Sequence, residues 1–424
     1  MIQIKQLSNG LTVVLEKMDH LRSVSFGAWV NVGSANENPE NNGISHVVEH
    51  MMFKGTKNRT AKEIADDCSM IGGNLNAYTS KECTSYYVTT LDTHLDMAID
   101  IISDMLCNSL FCEEDLEKEK GVIIDEIDMY EDSPDDLVHE LLQQEVWEDH
   151  PLGYIISGTK EIVESLTSKE LIEFVQKYYV ADNMVISITG NFEEGTILEL
   201  LEEKFGQIPA TSQREAVTAP KFTRKLIRRE KDIEQVHMNL AFDTVDYRSE
   251  EKYILSLVNS ILGGSESSIL FQKVREELGL SYSIYSYAST YYNAGLFQID
   301  ATLNPVNVKT VLMTIIEVIT EFRSQGVSEI ELQRAKEQIN TELIIGSESS
   351  RNRMNSNGKA MLCRKNIVNL NDTIDKINAV TVEMANAFIE KYITPDHFSM
   401  CLIGNIEMID YDDINKYWSE LNQL

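Results

Sequence analysis

Residues 41–56 read NNGISHVVEHMMFKGT, and the centre of this stretch places His46, Glu49 and His50 in the order H-x-x-E-H. Side chains three and four positions apart lie on one face of an α-helix, so these three polar groups would share a face. The opposite face would carry an apolar stripe made of Ile44, Val47, Val48, Met51 and Met52. The pattern predicts a helix that packs against a core by one side and presents two imidazoles and a carboxylate from the other.

The order of these three side chains has a chemical meaning. Histidines at positions i and i+4 can ligate one zinc ion, and a carboxylate just before the second histidine can act as general base on metal-bound water. H-x-x-E-H is the inverzincin order. The alternative is a chance match on a solvated helix face, which the motif alone leaves open.

A second informative helix is predicted at 114–131. Its apolar stripe contains two acids, Glu119 and Glu126, together with Leu116, Val122, Ile123, Ile127 and Tyr130. Carboxylates in a core-facing stripe are costly unless they are paired, hydrogen-bonded or bound to a metal. The pattern therefore selects Glu119 and Glu126 from the many acids nearby, either for a metal site or for a structural salt bridge to Arg or Lys.

The composition indicates a globular protein with an excess of acidic residues. Apolar residues make up 43% of the 424 residues, which is enough for two or three domain cores. Lys and Arg total 37 against 68 Asp and Glu, a net charge of −31 that argues against nucleic-acid binding and against anionic membrane surfaces. A basic peptide partner is favoured, although acidic surfaces can also serve solubility alone.

The chain also lacks several targeting and cysteine patterns. The first residues, MIQIKQLSNGLTVVLEKM, do not resemble a signal peptide, and no run of 18 apolar residues occurs. We therefore expect a cytoplasmic protein that does not enter a membrane. The six cysteines show no C-x-x-C spacing, so the sequence suggests neither a thiolate metal site nor a disulfide framework.

Hydrophobic periodicity predicts alternating strands and helices. Asn9-Gly10 is typical of the turn of a β-hairpin within 3–16. Strands are predicted at 23–32, 74–80 and 84–91, and helices at 61–71, 95–110 and 253–262.

An internal repeat sets the predicted domain plan. Lys, Tyr, Asp, Gly and Asn of 177–191 recur in 391–405 at a constant offset of 214. Such a repeat indicates two halves that descend from one unit. We therefore predict homologous domains at 1–208 and 223–424, joined by a polar linker at 209–222.

The second half is predicted to be a non-catalytic copy. Its histidines are His237 and His397, which lie far apart, so it cannot hold a second H-x-x-E-H pattern.

Together these stretches resemble the pitrilysin/insulinase-like (M16) zinc peptidases, in particular the short-chain branch that includes mitochondrial processing peptidase and bacterial homologues. The segment 46–56, HVVEHMMFKGT, is similar to the family's zinc motif, and 119–126, EKGVIIDE, is similar to the segment with the third ligand. Glu126 lies 76 positions beyond His50, as that branch requires. The resemblance implies that His46, His50 and Glu126 are metal ligands and that Glu49 and Glu119 are catalytic residues, Glu119 in a supporting position.

The resemblance also implies substrate-binding residues. The segment 72–79, GGNLNAYT, is similar to the strand beside the active site that pairs with the substrate backbone, through Asn76, Ala77, Tyr78 and Thr79. Arg275 and Tyr282 resemble the family's substrate-binding pair, and Tyr282 would also assist catalysis.

The fold implied by the resemblance is α+β. It consists of two homologous domains, each an antiparallel sheet packed with helices, which together form half of a clamshell. A chain of this size would pair with itself as a homodimer to close the chamber.

The function implied is that of a zinc-dependent endopeptidase with one Zn²⁺ per chain. It would cleave peptides or unfolded segments held as an added β-strand in an enclosed chamber. The alternative is a non-catalytic structural or peptide-binding subunit of the same fold. The sequence leaves open the substrate, the cleavage preference and whether manganese or cobalt replaces zinc.

Overall fold

A computed structural model describes residues 2–405, 408–409 and 411–421. The chain folds into two compact units, each made of three segments. The first unit contains the residues up to 128, 154–217 and 344–368, and the second contains 129–153, 218–343 and the residues from 369 onward. This division differs from the predicted contiguous domains 1–208 and 223–424 with a linker at 209–222.

Two helices account for the difference, because each packs on the sheet built mainly by the other half of the sequence. Helix α5 (Pro134–Val146) packs on the second unit's sheet and helix α12 (Ser350–Arg364) on the first unit's sheet. Their buried apolar residues include Leu137, Val138, Leu142, Val146, Met354, Met361 and Leu362. Helical periodicity indicates which face is buried but not which sheet covers it.

The first unit has a six-stranded sheet in the order β1-β2-β6-β3-β5-β4. The strands are β1 (Ile2–Gln6), β2 (Thr12–Lys17), β3 (Ser23–Val30), β4 (Asn74–Thr79), β5 (Thr84–Leu91) and β6 (Met184–Gly190). The predicted hairpin is confirmed, since β1 pairs antiparallel with β2 and Gly10 adopts a φ of 90° in the turn.

Helices pack against this sheet and enclose a core that includes Phe26, Ile102, Ile186 and Phe205. They are α1 (Ile44–Met51), α2 (Ala61–Met70), α3 (Leu95–Asn108), α4 (Glu113–Asp132), α6 (Lys160–Ser165), α7 (Ser168–Tyr178) and α8 (Glu194–Phe205). Helix α4 begins in the first unit and ends in the second.

The second unit has a five-stranded sheet in the order β7-β11-β8-β10-β9. The strands are β7 (Leu226–Glu230), β8 (Val236–Asp243), β9 (Ser281–Thr290), β10 (Gly295–Leu303) and β11 (Ser399–Gly404). The helices besides α5 are α9 (Lys252–Leu262), α10 (Val308–Gln325), α11 (Glu329–Gly346), α13 (Leu370–Asn378), α14 (Val382–Tyr392) and α15 (Tyr411–Leu421). A π-helical segment, Phe271–Glu277, precedes β9.

Both units are α+β, as predicted, but the sheets are mixed rather than wholly antiparallel. The parallel pairs are β2 with β6 and β7 with β11. Strand β6 lies between β2 and β3, which run in opposite directions, so it must be parallel to one of them. The same geometry holds for β11 between β7 and β8. Within the described ranges, no helix is both long and apolar enough to cross a membrane.

Candidate metal centre

Helix α1 forms where the H-x-x-E-H pattern predicts it. The predicted apolar stripe is buried in the first unit's core, with Ile44, Val47, Val48, Met51 and Met52 each at most 1% exposed. The helix starts after Gly43, whose φ of 100° favours glycine, and a Cβ there would meet Ser157 O at 2.7 Å. The buried stripe thus turns the polar face of α1 away from the core.

A buried carboxylate holds the start of this helix. Glu37 accepts hydrogen bonds from the backbone N–H groups of Gly43 and Ser45, at 2.7 and 2.8 Å, and from Asn42 Nδ2 at 2.8 Å. Negative charge is favourable at a helix N-terminus. Glu37 lies in a loop without periodicity, so no pattern in the sequence predicts this role.

The side chains of His46, His50 and Glu126 converge. One potential ligand atom from each lies within 4.8 Å of the other two, and in the described part of the chain this is the cluster that could hold a metal ion. Glu126 Oε2 lies 3.7 Å from His46 Nε2 and 3.5 Å from His50 Nε2. Atoms about 2.0–2.2 Å from one tetrahedral ion lie roughly 3.4 Å apart, so these residues fit a single zinc ion.

The protonation states of the three groups differ. Burial and the neighbouring His50 lower the pKa of His46 to about 4, which leaves its imidazole neutral. Burial alone would lower the pKa of His50, but hydrogen bonds with Glu119 and Glu126 raise it to about 9. The hydrogen bond from His50 in turn lowers the pKa of Glu126, so this carboxylate is charged. Metal binding would release the proton of His50.

Glu119 is buried beside His50 rather than among the converging atoms. His50 Nδ1 donates to Glu119 Oε1 at 2.9 Å, and Lys54 Nζ lies 2.5 Å from Glu119 Oε2. Such a partner fixes the orientation of an imidazole and leaves its other nitrogen free to ligate. Lys54 was not predicted as a site residue, although it stands four positions after His50 in the quoted motif stretch.

Glu49 lies on the same helix but points to another partner. Its Oε2 accepts a hydrogen bond from Thr79 Oγ1 at 2.5 Å. Burial raises the pKa of Glu49, while this hydrogen bond opposes the rise. The structure therefore keeps Glu49 outside the converging ligand set and ties it to the end of β4.

The predicted substrate-binding strand is an edge strand. Asn76, Ala77, Tyr78 and Thr79 lie on β4, which pairs with β5 on one side and ends the strand order of the first sheet. An edge strand presents backbone N–H and C=O groups that can pair with an added strand. The edge position is thus compatible with substrate binding by strand addition.

Arg275 and Tyr282 lie in the second unit, at the π-helical segment and at the start of β9. The Arg275 guanidinium stands 4.6 Å from the ring centre of Phe271 and 5.3 Å from that of Tyr282. Arg275 also lies 3.9 Å from Glu276, and Tyr282 is 78% exposed. The two side chains are neighbours, and their role in substrate binding stays a prediction.

Comparison with known proteins agrees with this fold. Residues 12–160 match the family model "Insulinase (Peptidase family M16)" and residues 165–339 match "Peptidase M16 inactive domain". An uncharacterized zinc protease of Bacillus subtilis, YmxG, is 40% identical over 404 residues, which cover 95% of this chain and 98% of the relative. A zinc protease of Streptomyces coelicolor is 35% identical, over 95% of this chain and 89% of the relative.

A solved structure shares the fold at lower identity. The M16 inactive-domain protein of Pseudomonas fluorescens superimposes with a TM-score of 0.89 and 20% identity, over 95% of this chain and 98% of that one. The sequence matches extend over both halves of the chain, and the relatives are named zinc proteases. The chain therefore belongs to the M16 family of peptidases.

Proposed function

We propose that the protein is a zinc-dependent endopeptidase that cleaves peptides or unfolded protein segments. The observation that carries the proposal is the convergence of His46, His50 and Glu126 beside a separately held carboxylate, Glu49. A purely structural metal site would not require Glu49, an additional acid on the same helix. The zinc-protease names of the relatives support the same reading.

In this mechanism, His46, His50 and Glu126 would hold one Zn²⁺ per chain. The bound ion would polarise water and the substrate carbonyl. Glu49 would take a proton from the attacking water at its carboxylate and deliver it to the leaving amine. Glu119 would hold His50 in the ligating orientation through the Nδ1 hydrogen bond.

The substrate would bind as an added strand along 76–79, mainly through backbone hydrogen bonds. Arg275 would hydrogen-bond a substrate carbonyl, and Tyr282 would donate to the oxygen that becomes negative during the reaction. We further propose a homodimer in the cytoplasm that encloses the substrate in a chamber. The net charge of −31 favours basic peptides over acidic ones and over nucleic acids.

The proposal is tested by replacing Glu49 with Gln. The variant should keep its bound metal but lose at least about 10²-fold in peptide turnover, because the general base is removed. Glu114→Gln serves as the control, since Glu114 is an 84% exposed side chain on α4, and it should leave turnover unchanged. Metal content and turnover are measured on the same samples.

Near-normal turnover of Glu49→Gln would contradict the assignment of the base. If the unsubstituted protein binds peptides without cleaving them, with or without metal, the non-catalytic peptide-binding subunit becomes the better description.

A further inference from the structure

The side chain of Thr79 forms a short contact with the proposed general base. Thr79 is the last residue of β4, and its Oγ1 lies 2.5 Å from Glu49 Oε2. A hydrogen bond to a carboxylate of this length is strong. Glu49 therefore has a fixed partner on the sheet, in addition to its place on α1.

The proton of Thr79 is available for this hydrogen bond. Thr79 Oγ1 also lies 3.5 Å from Thr84 Oγ1, a longer contact in which either hydroxyl could donate. Thr84 Oγ1 donates to Val32 O at 2.9 Å, so its own proton is committed to that carbonyl. Because a hydroxyl has one proton, Thr79 donates to Glu49 and Thr84 serves the backbone.

The contact joins two elements with different proposed roles. Thr79 pairs with Thr84 across the β4–β5 ladder, which fixes the end of the edge strand. Glu49 stands on α1, whose start is held by Glu37. A substrate strand added along β4 would order the same residue whose hydroxyl holds the base.

We propose that Thr79 is a positioning residue, which orients Glu49 through its hydroxyl and couples the placement of the base to the strand that binds the substrate. This inference rests on the peptidase function proposed above. It assigns to the side chain a role distinct from the backbone pairing predicted for residues 76–79.

The test compares Thr79→Val with Thr79→Ser on metal-loaded enzyme and a peptide substrate. Valine keeps the shape and strand preference of threonine but lacks the hydroxyl, whereas serine keeps the hydroxyl. Losing a hydrogen bond to a charged group should lower kcat about 10- to 100-fold. KM should change less than about threefold, bound metal should stay constant, and Thr79→Ser should recover most of kcat.

Thr84→Val is the matched control, because it removes a hydroxyl from the paired position that bonds to Val32 O, to Tyr179 and, at the longer distance, to Thr79. It should lower the melting temperature but leave kcat within about threefold. If Thr79→Val keeps the kcat of the unsubstituted enzyme, or if it loses no more than Thr84→Val does, the inference is overturned. An unsubstituted enzyme that cleaves no peptide would instead overturn the peptidase proposal, and this inference with it.

Discussion

Helices α1 and α9 hold corresponding places, since each is the α-helix that follows an interior strand of its sheet, β3 in the first unit and β8 in the second. Their buried faces differ in chemistry. Helix α9 buries mostly apolar side chains between Tyr253 and Leu262. Helix α1 buries His46 and partly buries Glu49 and His50. The same topology is therefore satisfied by an apolar helix and by one that carries ionisable groups.

The contrast between α1 and α9 indicates that the ionisable side chains of α1 are not required for packing the fold. Burial lowers the pKa of His46 to about 4 and raises the pKa of Glu49, so the charged forms of both groups are disfavoured where they stand. Residues that break the local rules of a fold concentrate at functional sites. The burial of ionisable groups on α1 therefore supports the site proposed there, whereas the buried face of α9 serves core packing.

The largest expected effect tests whether Glu126 and Glu119 differ in role. Glu126→Gln should lose most of the bound metal, a loss of at least about 100-fold in affinity, because a charged ligand is replaced by a neutral one. Glu119→Gln should weaken metal binding by about 10-fold, because it only orients His50. Glu342→Gln on α11 is the second-unit control and should change nothing. Metal content after dialysis against a graded chelator measures all three.

The reverse order, with Glu119→Gln losing more metal than Glu126→Gln, would exchange the two assignments. If both variants keep as much bound metal as the unsubstituted protein, neither Glu119 nor Glu126 contributes to the metal centre.

The next effect tests what the second unit contributes. Arg275→Ala should keep its metal but lose about 10- to 100-fold in turnover, if Arg275 binds the substrate. In a homodimer with shared sites, a Glu49→Gln chain paired with an Arg275→Ala chain would retain one complete site. Isolated mixed dimers should then recover a substantial part of the activity that both parent dimers lack.

Mixed dimers as inactive as their parents would show that Arg275 acts within its own chain or not at all. A dimer of two Glu49→Gln chains, one of them carrying an affinity tag, is isolated in the same way and controls for effects of the isolation.

Local pattern was sufficient to predict the elements of the site. The stripe on α1 predicted its buried face, and Glu119, placed in the stripe of α4, is indeed buried. Not every residue of that second stripe is buried, since Val122 is 52% and Tyr130 41% exposed. Lys120 is buried instead, with Nζ 2.9 Å from the carbonyl of Glu164. A long aliphatic stem can cover apolar surface, which a simple apolar count overlooks.

Hydrophobic periodicity did not predict the contacts between segments that are distant in the sequence. Nothing in the periodicity of 129–153 or 344–368 reveals that each belongs to the unit built mainly by the other half. Glu37, Lys54 and Thr79 were likewise not recognised as partners of the helix start, of Glu119 and of Glu49. Glu37 acts through three hydrogen bonds, Lys54 through an ion pair and Thr79 through its hydrogen bond to Glu49, and none of these contacts leaves a repeating signal in the sequence.

A second contrast between the units concerns two buried aspartates, Asp104 in the first and Asp300 in the second, 4% and 2% exposed. Burial alone would raise the pKa of Asp104, but hydrogen bonds from Thr56, Asn58 and Arg59 lower it. Donor-rich surroundings thus keep a buried carboxylate charged.

Asp300 has fewer donors. Asn239 Nδ2 donates to it at 3.1 Å, and His139 Nε2 lies 3.4 Å away. Burial raises the pKa of Asp300 to about 7, and the charge of Asp135 adds to the rise. Burial also lowers the pKa of His139, so this imidazole is uncharged at pH 8 and does not compensate the carboxylate.

The two aspartates should therefore give opposite pH dependences. The folded-state pKa of Asp300 lies above the unfolded value of about 3.9, so its contribution to stability is lost as pH rises through about 7. We compare the change in the free energy of unfolding that Asp300→Asn causes at pH 8 with the change that it causes at pH 5. The change should be more stabilising at pH 8 by about 2 kcal/mol. Asp104→Asn should lower the free energy of unfolding by the same amount at pH 8 and pH 5, and the loss should shrink only below about pH 4, since the folded-state pKa of Asp104 lies below its unfolded value. Denaturant unfolding at about pH 8, 5 and 3 measures the differences. A pH-independent effect of Asp300→Asn would contradict the assigned pKa.

The smallest expected effect tests whether surface charge near the metal centre captures basic peptides. Asp125 is an exposed acid next to Glu126 on α4, and Glu337 is an exposed acid on α11. One charge at about 10 Å in water contributes roughly 0.4 kcal/mol, a factor of about two in kcat/KM. Asp125→Asn should therefore halve kcat/KM for a lysine-rich peptide at low ionic strength, whereas Glu337→Gln should change it less because α11 carries no proposed ligand. The difference should vanish near 0.5 M salt, where the screening length falls below about 5 Å. If both variants match the unsubstituted enzyme at low salt, and the basic peptide shows no salt dependence, the acidic surface has no part in substrate capture.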